Sequence, residues 1–444
     1  MTTRLLLATT AAVLVAAPVA HAQMTVTGGA AMLTLPPMTG FAYTTVTENH
    51  GLGLAISAPA FGIVPVFSVS IDAPVGGRFG LFGAGFHAAA TSTLADPSLL
   101  AGGGALGLVA PFPGYGYVMA SAYYGDPASA ETDAQTGFDL DGGIFGVAYA
   151  DGVADFGGCQ DPGNGCDFAA TAAGTGPGDA FAYTTLVSSE GVLVAAAGIF
   201  PEGAIGLTET AGFRYFGGQG GLSAAIGNGG ATVYAGAIFR ALDQHHTTVL
   251  DVAFDVPVEG GTLSVAQGVT TAEDLVSRYY GATFGISVDR DVSNWLTAGL
   301  DIGFAPLFVR TQHTASQSSS LAVTGPDFLI EAGTDIVLVQ EITRGAALLS
   351  IGGDVGFRFG NAARLTFGGF FEFLSAAPFA AQYYVPGIST QGTPVGGYVN
   401  EEGAMTYLGG ANPNNLGTQP VAIFFNPLMT YGASVTLSIG LGGR

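Results

Sequence analysis

The chain has 444 residues, of which 48% are hydrophobic and only 10% are charged, against roughly 25% charged residues in ordinary globular domains. Its 33 acidic residues outnumber 11 basic residues, all of them arginine, so the formal net charge is −22. This balance excludes a nucleic-acid-binding protein, which needs a basic surface. Two explanations of the acidity stay open: attraction of cations at a surface or pore mouth, or a generally acidic surface suited to a saline habitat.

Residues 1–22 have the three parts of a secretory signal peptide. Arg4 provides the positive start, Leu5 to Val15 form a short apolar run, and Ala20-His21-Ala22 is a small-x-small cleavage site. The apolar run is too short for a membrane-spanning helix. We therefore expect an exported chain that is cleaved after Ala22.

Alternating apolar and polar residues recur along the rest of the chain. In the segment 364–373, Leu365 and Phe367 fall on one face of a strand, opposite Arg364 and Thr366, because successive side chains of a strand point to opposite faces. The same alternation is found in 250–256, 280–288, 296–304, 355–359 and 435–441. Behind an export signal, this recurrence predicts a closed antiparallel transmembrane β-barrel with apolar residues toward lipid and polar residues toward a lumen.

The expected organisation is a lead-in segment over 23–40, followed by a single barrel over 41–444 that begins near Phe41. Tracing the chain up and down gives about 16 strands, and about 12 to 16 are compatible with the pattern. The turns placed on the periplasmic side are 72–77, 255–261, 289–294 and 360–363. The long loops placed on the extracellular side are 92–112, 151–179, 311–345 and 377–427.

The phase of the alternation assigns ten charged residues to the lumen. A charge on the lipid face costs about 2–4 kcal/mol for a basic residue near the midplane, which favours the inward assignment. Such residues either set the ion preference of a water-filled pore or form a salt-bridged interior in a plugged barrel, and both possibilities stay open. The ten are Asp72, Arg214, Arg240, Asp251, Asp255, Asp301, Asp354, Arg358, Arg364 and Glu372.

Cys159 and Cys166 are the only cysteines, and they lie in an acidic stretch. An exported chain meets an oxidising compartment, so we expect a disulfide between them. The surrounding loop 151–167 is either a solvated loop or a calcium site, although the spacing of Asp151 and Asp155 does not fit an EF-hand. We predict no metal site and no cofactor.

The sequence contains no nucleophile motif of the Gly-x-Ser-x-Gly kind and no phosphate-binding loop. His245 and His246 lie beside Asp243, but adjacent residues of an extended chain face opposite ways and share one ion poorly. We interpret the two histidines as exposed loop residues at an outer tip. The chain is therefore not predicted to be an enzyme.

The segments Gly212-Phe213-Arg214-Tyr215 and Gly356 to Phe359, with Arg364 to Phe367, resemble outer-membrane porin-type barrels of Gram-negative bacteria. Within these, the chain is most similar to the Legionella-type pore-forming group. The resemblance lies in the general pattern of alternating strands and hairpins over most of the chain. It implies an outer-membrane location, contact with outer-membrane lipid, passage of small hydrophilic solutes and ions, and a possible homo-oligomer.

Three functions follow from these observations. The first is a porin-like channel for passive diffusion of ions and small hydrophilic solutes, with a cation preference if the acidic residues line the pore. The second is a non-conducting outer-membrane barrel that serves as a surface adhesin, a receptor or a structural envelope protein through its long loops. The third is a soluble secreted β-rich protein, which the abundance of 30 Phe and 16 Tyr disfavours, because these residues suit membrane interfaces.

Overall fold

The structure is a computed structural model of the whole chain. It describes residues 23–35, 45–46, 52–53, 62–96, 106–110, 118–124, 134–140, 143–149, 168–174, 181–188, 191–198, 203–227, 230–258, 260–327, 329–359, 363–384, 398–399, 405–406 and 418–440. The predicted signal peptide and its cleavage site, the start near Phe41, the disulfide and the acidic loop 151–167 lie outside these residues. No helix in the described part of the chain is long and apolar enough to cross a membrane.

The described residues form strands that differ widely in length. In chain order they are β1 (Gln23–Leu33), β2 (Thr45–Val46), β3 (Leu52–Gly53), β4 (Ile63–Gly76), β5 (Phe79–Asp96), β6 (Leu106–Ala110), β7 (Val118–Tyr124), β8 (Ala134–Leu140), β9 (Gly143–Tyr149), β10 (Phe168–Gly174), β11 (Phe181–Ser188), β12 (Gly191–Gly198), β13 (Ile205–Ile226), β14 (Ala231–Val258), β15 (Gly261–Asp291), β16 (Leu296–Thr324), β17 (Leu329–Phe359), β18 (Ala363–Tyr384), β19 (Tyr398–Val399), β20 (Met405–Thr406) and β21 (Thr418–Gly440).

Ten of these strands form a closed ring. Their order is β1-β21-β18-β17-β16-β15-β14-β13-β5-β4, and β1 also pairs with β4, so the ring has no free edge. Every pairing in the ring is antiparallel. This confirms the predicted closed antiparallel β-barrel.

Three expectations about the barrel are wrong. The ring has ten strands where about 16 were expected, because strands β14 to β17 are 28, 31, 29 and 31 residues long and absorb segments that the pattern divides. The predicted loop 311–345 is mostly strand, shared by β16 and β17. In addition, Gln23–Leu33 is not a lead-in segment but the strand that closes the ring.

The two ends of the barrel differ. At the lower end, short connections join β4 to β5 and β15 to β16, and β1 begins beside the end of β21, with Gln23 opposite Gly440. At the upper end, the long connections from β5 to β13 and from β18 to β21 emerge. The turn at 255–261 also lies at the upper end, between β14 and β15, so its predicted place beside the 72–77 turn is wrong.

The outward residues of the lower half are apolar. Tyr280, Phe284, Ile286 and Val288 alternate along β15, and each exposes more than a third of its surface. The cross-strand neighbour of Phe284 is Phe304, which is also exposed. We call this apolar outer surface of the lower half the outer belt; its other members include Val26, Phe67, Val69, Leu222, Val233, Leu300, Ile302, Leu349, Ile351, Val355, Phe367, Tyr431, Val435, Leu437 and Ile439.

The connection from β5 to β13 carries two small sheets. Strands β10, β11, β12 and β6 form a four-stranded sheet, and β7, β8 and β9 form a three-stranded sheet. The four-stranded sheet, which we call the inner sheet, lies against the inner face of the long strands. Two-stranded pairs formed by β2 with β3 and by β19 with β20 complete the described sheets.

Candidate functional site in the barrel lumen

The lower lumen is lined by ion-paired and hydrogen-bonded charges. Arg364 on β18 donates from Nη2 to Asp354 Oδ1 over 2.8 Å and from Nη1 to Asp289 Oδ1 over 3.5 Å. The Tyr234 hydroxyl donates to Asp301 Oδ1 over 3.2 Å. These side chains come from five different strands, so the lower lumen is bridged by polar contacts between strands.

Two glycines leave room for the Tyr234 ring in the lumen. A Cβ atom on Gly285 would lie 2.1 Å from Tyr234 Cζ, and one on Gly303 would lie 2.8 Å from its hydroxyl oxygen. Real Cβ atoms do not approach other atoms this closely, so any larger residue at Gly285 would displace the ring. The small residues on β15 and β16 therefore allow Tyr234 to reach Asp301.

A buried ion pair crosses the lumen at mid-height. Arg240 on β14 donates from Nη2 to Glu372 Oε2 on β18 over 3.4 Å, and the Tyr215 hydroxyl donates to the same carboxylate. The Arg240 guanidinium also lies 4.6 Å above the centre of the Phe86 ring. Since β14 and β18 are not neighbours in the ring, this group of side chains spans the interior.

Apolar side chains surround that ion pair and fill the same level of the lumen. All ten ring strands contribute to one buried cluster. Its members are Ala31, Leu33, Val64, Ala88, Phe213, Tyr215, Ile238, Leu242, Tyr279, Ala305, Leu307, Val309, Leu348, Leu374, Ala377 and Leu428, with Phe86, Phe370 and others packed against it. We call this cluster the mid-lumen core. Interiors of barrels with about eight strands are just wide enough for side chains to fill, and the ten-stranded ring is filled in the same way.

A row of buried acids and histidines lies above the mid-lumen core. Glu209, His246, Glu273 and His313 come from the neighbouring strands β13, β14, β15 and β16. His246 is directly opposite Glu273 in the strand register. His246 lies 4.0 Å from Glu209 through Nε2 and 3.8 Å from Glu273 through Nδ1, and His313 Nε2 lies 3.0 Å from Glu273.

All four side chains of this acid–histidine row are buried. Glu273 and His313 are completely buried, and neither Glu273 Oε2 nor His313 Nδ1 has a hydrogen-bond partner among the described residues. In the described part of the chain, no group of three His, Cys, Asp or Glu side chains is placed to hold a metal ion.

The inner sheet is attached to the barrel just above the row. Gln267 on β15 donates to Thr185 over 2.8 Å and accepts a hydrogen bond from the Tyr183 hydroxyl. The Tyr183 ring also packs edge-on against Phe254, with ring centres 5.4 Å apart. Burial raises the pKa of Tyr183 well above its usual value. The upper lumen is therefore occupied by β11 and its neighbours.

Seven of the ten predicted pore-lining residues do face the lumen. Asp72, Asp301, Asp354, Arg358 and Arg364 line its lower part, and Arg240 and Glu372 lie at mid-height. Arg358 is ion-paired with Asp291 at the lower rim. Their role in passing solutes stays a prediction, since position alone does not measure transport.

The other three predicted pore-lining residues point outward. Arg214 forms an ion pair with Asp243 on the outer face, and its side chain is 58% exposed. Asp251 and Asp255 are exposed on β14, while the alternate residues, such as Leu250 and Val252, are buried. The assignment failed for these two acids because the inner sheet, and not lipid, covers the apolar face of this segment.

The acid–histidine row was not predicted from the sequence. His246 was interpreted as exposed at a loop tip, yet it is buried in the middle of a strand. A signal existed on β15: Gln267, Thr271 and Glu273 occur in phase with Val265 and Val269, on the same face. A polar residue at a position where the alternation calls for an apolar one indicates a buried polar contact. A polar residue at the alternate positions simply belongs to the opposite face of the strand.

No family model matches the chain, and no curated protein matches it. Among solved structures, the chain is similar to the outer membrane protease OmpT from Escherichia coli, at 7% identity and a TM-score of 0.29, over 96% of this chain and 98% of that one.

Two further solved structures have lower TM-scores. A FadL homologue of Pseudomonas aeruginosa has 10% identity and a TM-score of 0.18 over 95% of this chain and 89% of that one. OmpT of Vibrio cholerae, described as outer-membrane expressed, has 9% identity and a TM-score of 0.12 over 94% and 98%. Similarities with TM-scores this low support no inference about this chain. The closed barrel is established by its own strand pairing.

Proposed function

We propose that this protein is a non-conducting outer-membrane barrel that works as a receptor or adhesin at the cell surface. The outer belt supports the membrane location, because an apolar band on a closed antiparallel barrel is the arrangement that lipid requires. The lower end carries short turns, which matches the periplasmic side of such barrels, and the long connections at the upper end match the extracellular side.

The mid-lumen core is the main support for a non-conducting barrel. Side chains from all ten ring strands meet there, and the Arg240–Glu372 pair crosses the same level. A diffusion pore needs a continuous water-filled path, and packed side chains remove it. The porin-like channel expected from the sequence is therefore the weaker of the two functions.

The working surface in this proposal is the upper half of the long strands. A transmembrane strand needs about 9–11 residues, so strands β14 to β17, at 28 to 31 residues, extend well beyond the outer belt. Their outward face carries several exposed carboxylates, namely Asp251, Asp255, Asp274, Glu331 and Asp335. An acidic face of this kind attracts partners with basic surfaces.

Planar-bilayer conductance tests this function. Detergent-extracted protein is inserted, insertion is verified by protease protection, and a salt gradient is applied. We expect no stable unitary steps from the natural protein. We expect steps from the triple variant Leu242→Ala, Leu374→Ala and Tyr279→Ala, which shortens three side chains of the mid-lumen core.

The channel is the second candidate, and the charged lower lumen favours it. Asp72, Asp301 and Asp354 around Arg364 give that part of the interior an excess of negative charge. Stable steps from the natural protein, with a reversal potential that favours cations, would overturn the proposal and establish a cation-preferring pore.

A further inference from the structure

Three outward arginines lie at the upper edge of the outer belt. Each stands two residues from an outward aromatic residue of its own strand, and residues i and i+2 of a strand share a face. The pairs are Arg214 with Phe216 on β13, Arg278 with Tyr280 on β15, and Arg310 with Phe308 on β16. Three strands thus repeat one arrangement, with an aromatic ring toward the belt and a guanidinium group above it.

Two of these arginines are direct cross-strand neighbours. Arg278 is opposite Arg310 in the pairing of β15 with β16, and like charges in that position are destabilising. Each guanidinium turns toward a carboxylate on its far side. Arg278 and Arg214 both bind Asp243, and Arg310 donates twice to Glu341 over 2.7 Å.

The two carboxylates, Asp243 and Glu341, do not satisfy all the hydrogen-bond donors or the full positive charge of the three arginines. Three guanidinium groups face two carboxylates, and all four carboxylate oxygens already accept a hydrogen bond. Each guanidinium has five N–H donors, and among the described residues the hydrogen bonds of Arg214, Arg278 and Arg310 leave several of these donors without an acceptor. One positive charge with spare donors remains, in a chain with a net charge of −22.

We infer that Arg214, Arg278 and Arg310, the arginine cluster, bind the phosphate groups of an anionic glycolipid in the outer leaflet. The inference rests on the membrane location and orientation in the proposed function. Guanidinium groups match phosphate oxygens in a two-pronged fashion, and aromatic residues of membrane barrels lie at the lipid–water interface. The cluster therefore lies at the depth of lipid phosphates, and a phosphate between Arg278 and Arg310 removes their repulsion.

Native mass spectrometry of the detergent-solubilised protein tests this site. The probes are bis-phosphorylated lipid A, dephosphorylated lipid A and inorganic phosphate. We expect bis-phosphorylated lipid A to bind at least about tenfold more tightly than the dephosphorylated form, since hydrogen bonds to charged groups are the strong ones. The double variant Arg278→Gln with Arg310→Gln should lose that difference.

The matched control is Arg290→Gln, which removes an outward arginine of the same strand at the lower end of the barrel. It should bind as the natural protein does. The single variant Arg310→Gln, with folding checked by heat-dependent gel mobility, provides the result if the double variant fails to fold.

Equal binding of phosphorylated and dephosphorylated lipid A, or unchanged binding by folded variants, would overturn the inference. Binding of inorganic phosphate as tightly as lipid A would overturn the assignment to a lipid. These results are independent of conductance. If the protein does not conduct and shows no preference for phosphorylated lipid A, only the lipid-binding role of the arginine cluster is rejected. If it conducts and does show this preference, only the closed lumen is rejected.

Discussion

Strand β15 passes through two environments that are inverted relative to each other. In its lower part, the apolar residues Phe284 and Ile286 face outward and are exposed, while Thr283 is turned inward. In its upper part, Leu263 and Val265 face inward and are buried. The strand keeps its register throughout, so the inversion arises from the sequence and not from a bulge.

Alternation of apolar and polar residues gives the period of a strand but not which of its two faces turns toward the lumen. In the membrane location that we propose, lipid is the apolar phase below, so apolar side chains point away from the lumen. Above, water surrounds the barrel and the inner sheet supplies the apolar partner, so apolar side chains point inward. A single strand can satisfy both conditions because its residues change face preference while its backbone continues.

The largest effect should come from the inward face of the upper half. Phe254→Ala removes a buried ring that packs on Tyr183 and should lower the free energy of unfolding by about 3–5 kcal/mol. The neighbouring outward change Asp255→Ala should alter it by less than about 0.5 kcal/mol. Urea titration followed by the fluorescence of Trp295, the single tryptophan, measures both. Equal effects would show that the inner sheet does not bury this face.

The next effect tests the outward face of the lower half. Phe284→Arg places a charge in the outer belt and should cost about 2–4 kcal/mol near the middle of the bilayer. Ala266→Arg makes the same change on the same face of β15 above the belt, where water solvates the charge. The folded fraction in lipid vesicles, read from gel mobility, should fall only for the first variant. A similar fall for both would place the upper half in lipid.

A smaller effect is expected in the acid–histidine row. Glu273→Ala removes the acceptor of His313, which lies 3.0 Å away, and leaves a buried imidazole without its partner, at about 1–3 kcal/mol. Thermal unfolding monitored by circular dichroism measures the loss. A further His313→Ala change should cost less in this variant than in the natural protein, and full additivity would show that the two side chains do not interact.

The smallest effect concerns the attachment of the inner sheet. Tyr183→Phe removes one hydrogen bond to Gln267 and should cost about 0.5–1.5 kcal/mol. Because the folded pKa of Tyr183 is raised by burial, its contribution is complete below the unfolded pKa of about 10 and is lost as the pH rises above it. The natural protein should therefore lose stability faster than the variant above about pH 10. Parallel decline of the two would contradict a buried neutral phenol.

The barrel itself was predictable from the sequence because alternation on strands such as β15 and β18 has a period that no helix shares. The lengths of the strands were not predictable. Ser- and Thr-rich segments such as 314–320 have the composition of a loop, although their backbone continues the hydrogen-bonded strand β16. Asp301, Asp354 and Arg364 face the lumen, as the alternation indicates, because the outward face at those levels is the apolar outer belt. The lumen assignments of Asp251 and Asp255 were wrong because a distant part of the chain, the inner sheet, supplies the covering surface.

The closure of the ring has a consequence for biosynthesis. Thr25 on β1 and Ser438 on β21 are hydrogen-bonded although they are 413 positions apart in the chain. During synthesis and export β1 is present long before its partner, and its unpaired N–H and C=O groups invite pairing with other chains. The last strand completes the ring and covers both exposed edges in one step. Until then the early strands have to be kept from pairing with other chains, and the finished barrel no longer has a free edge that needs this protection.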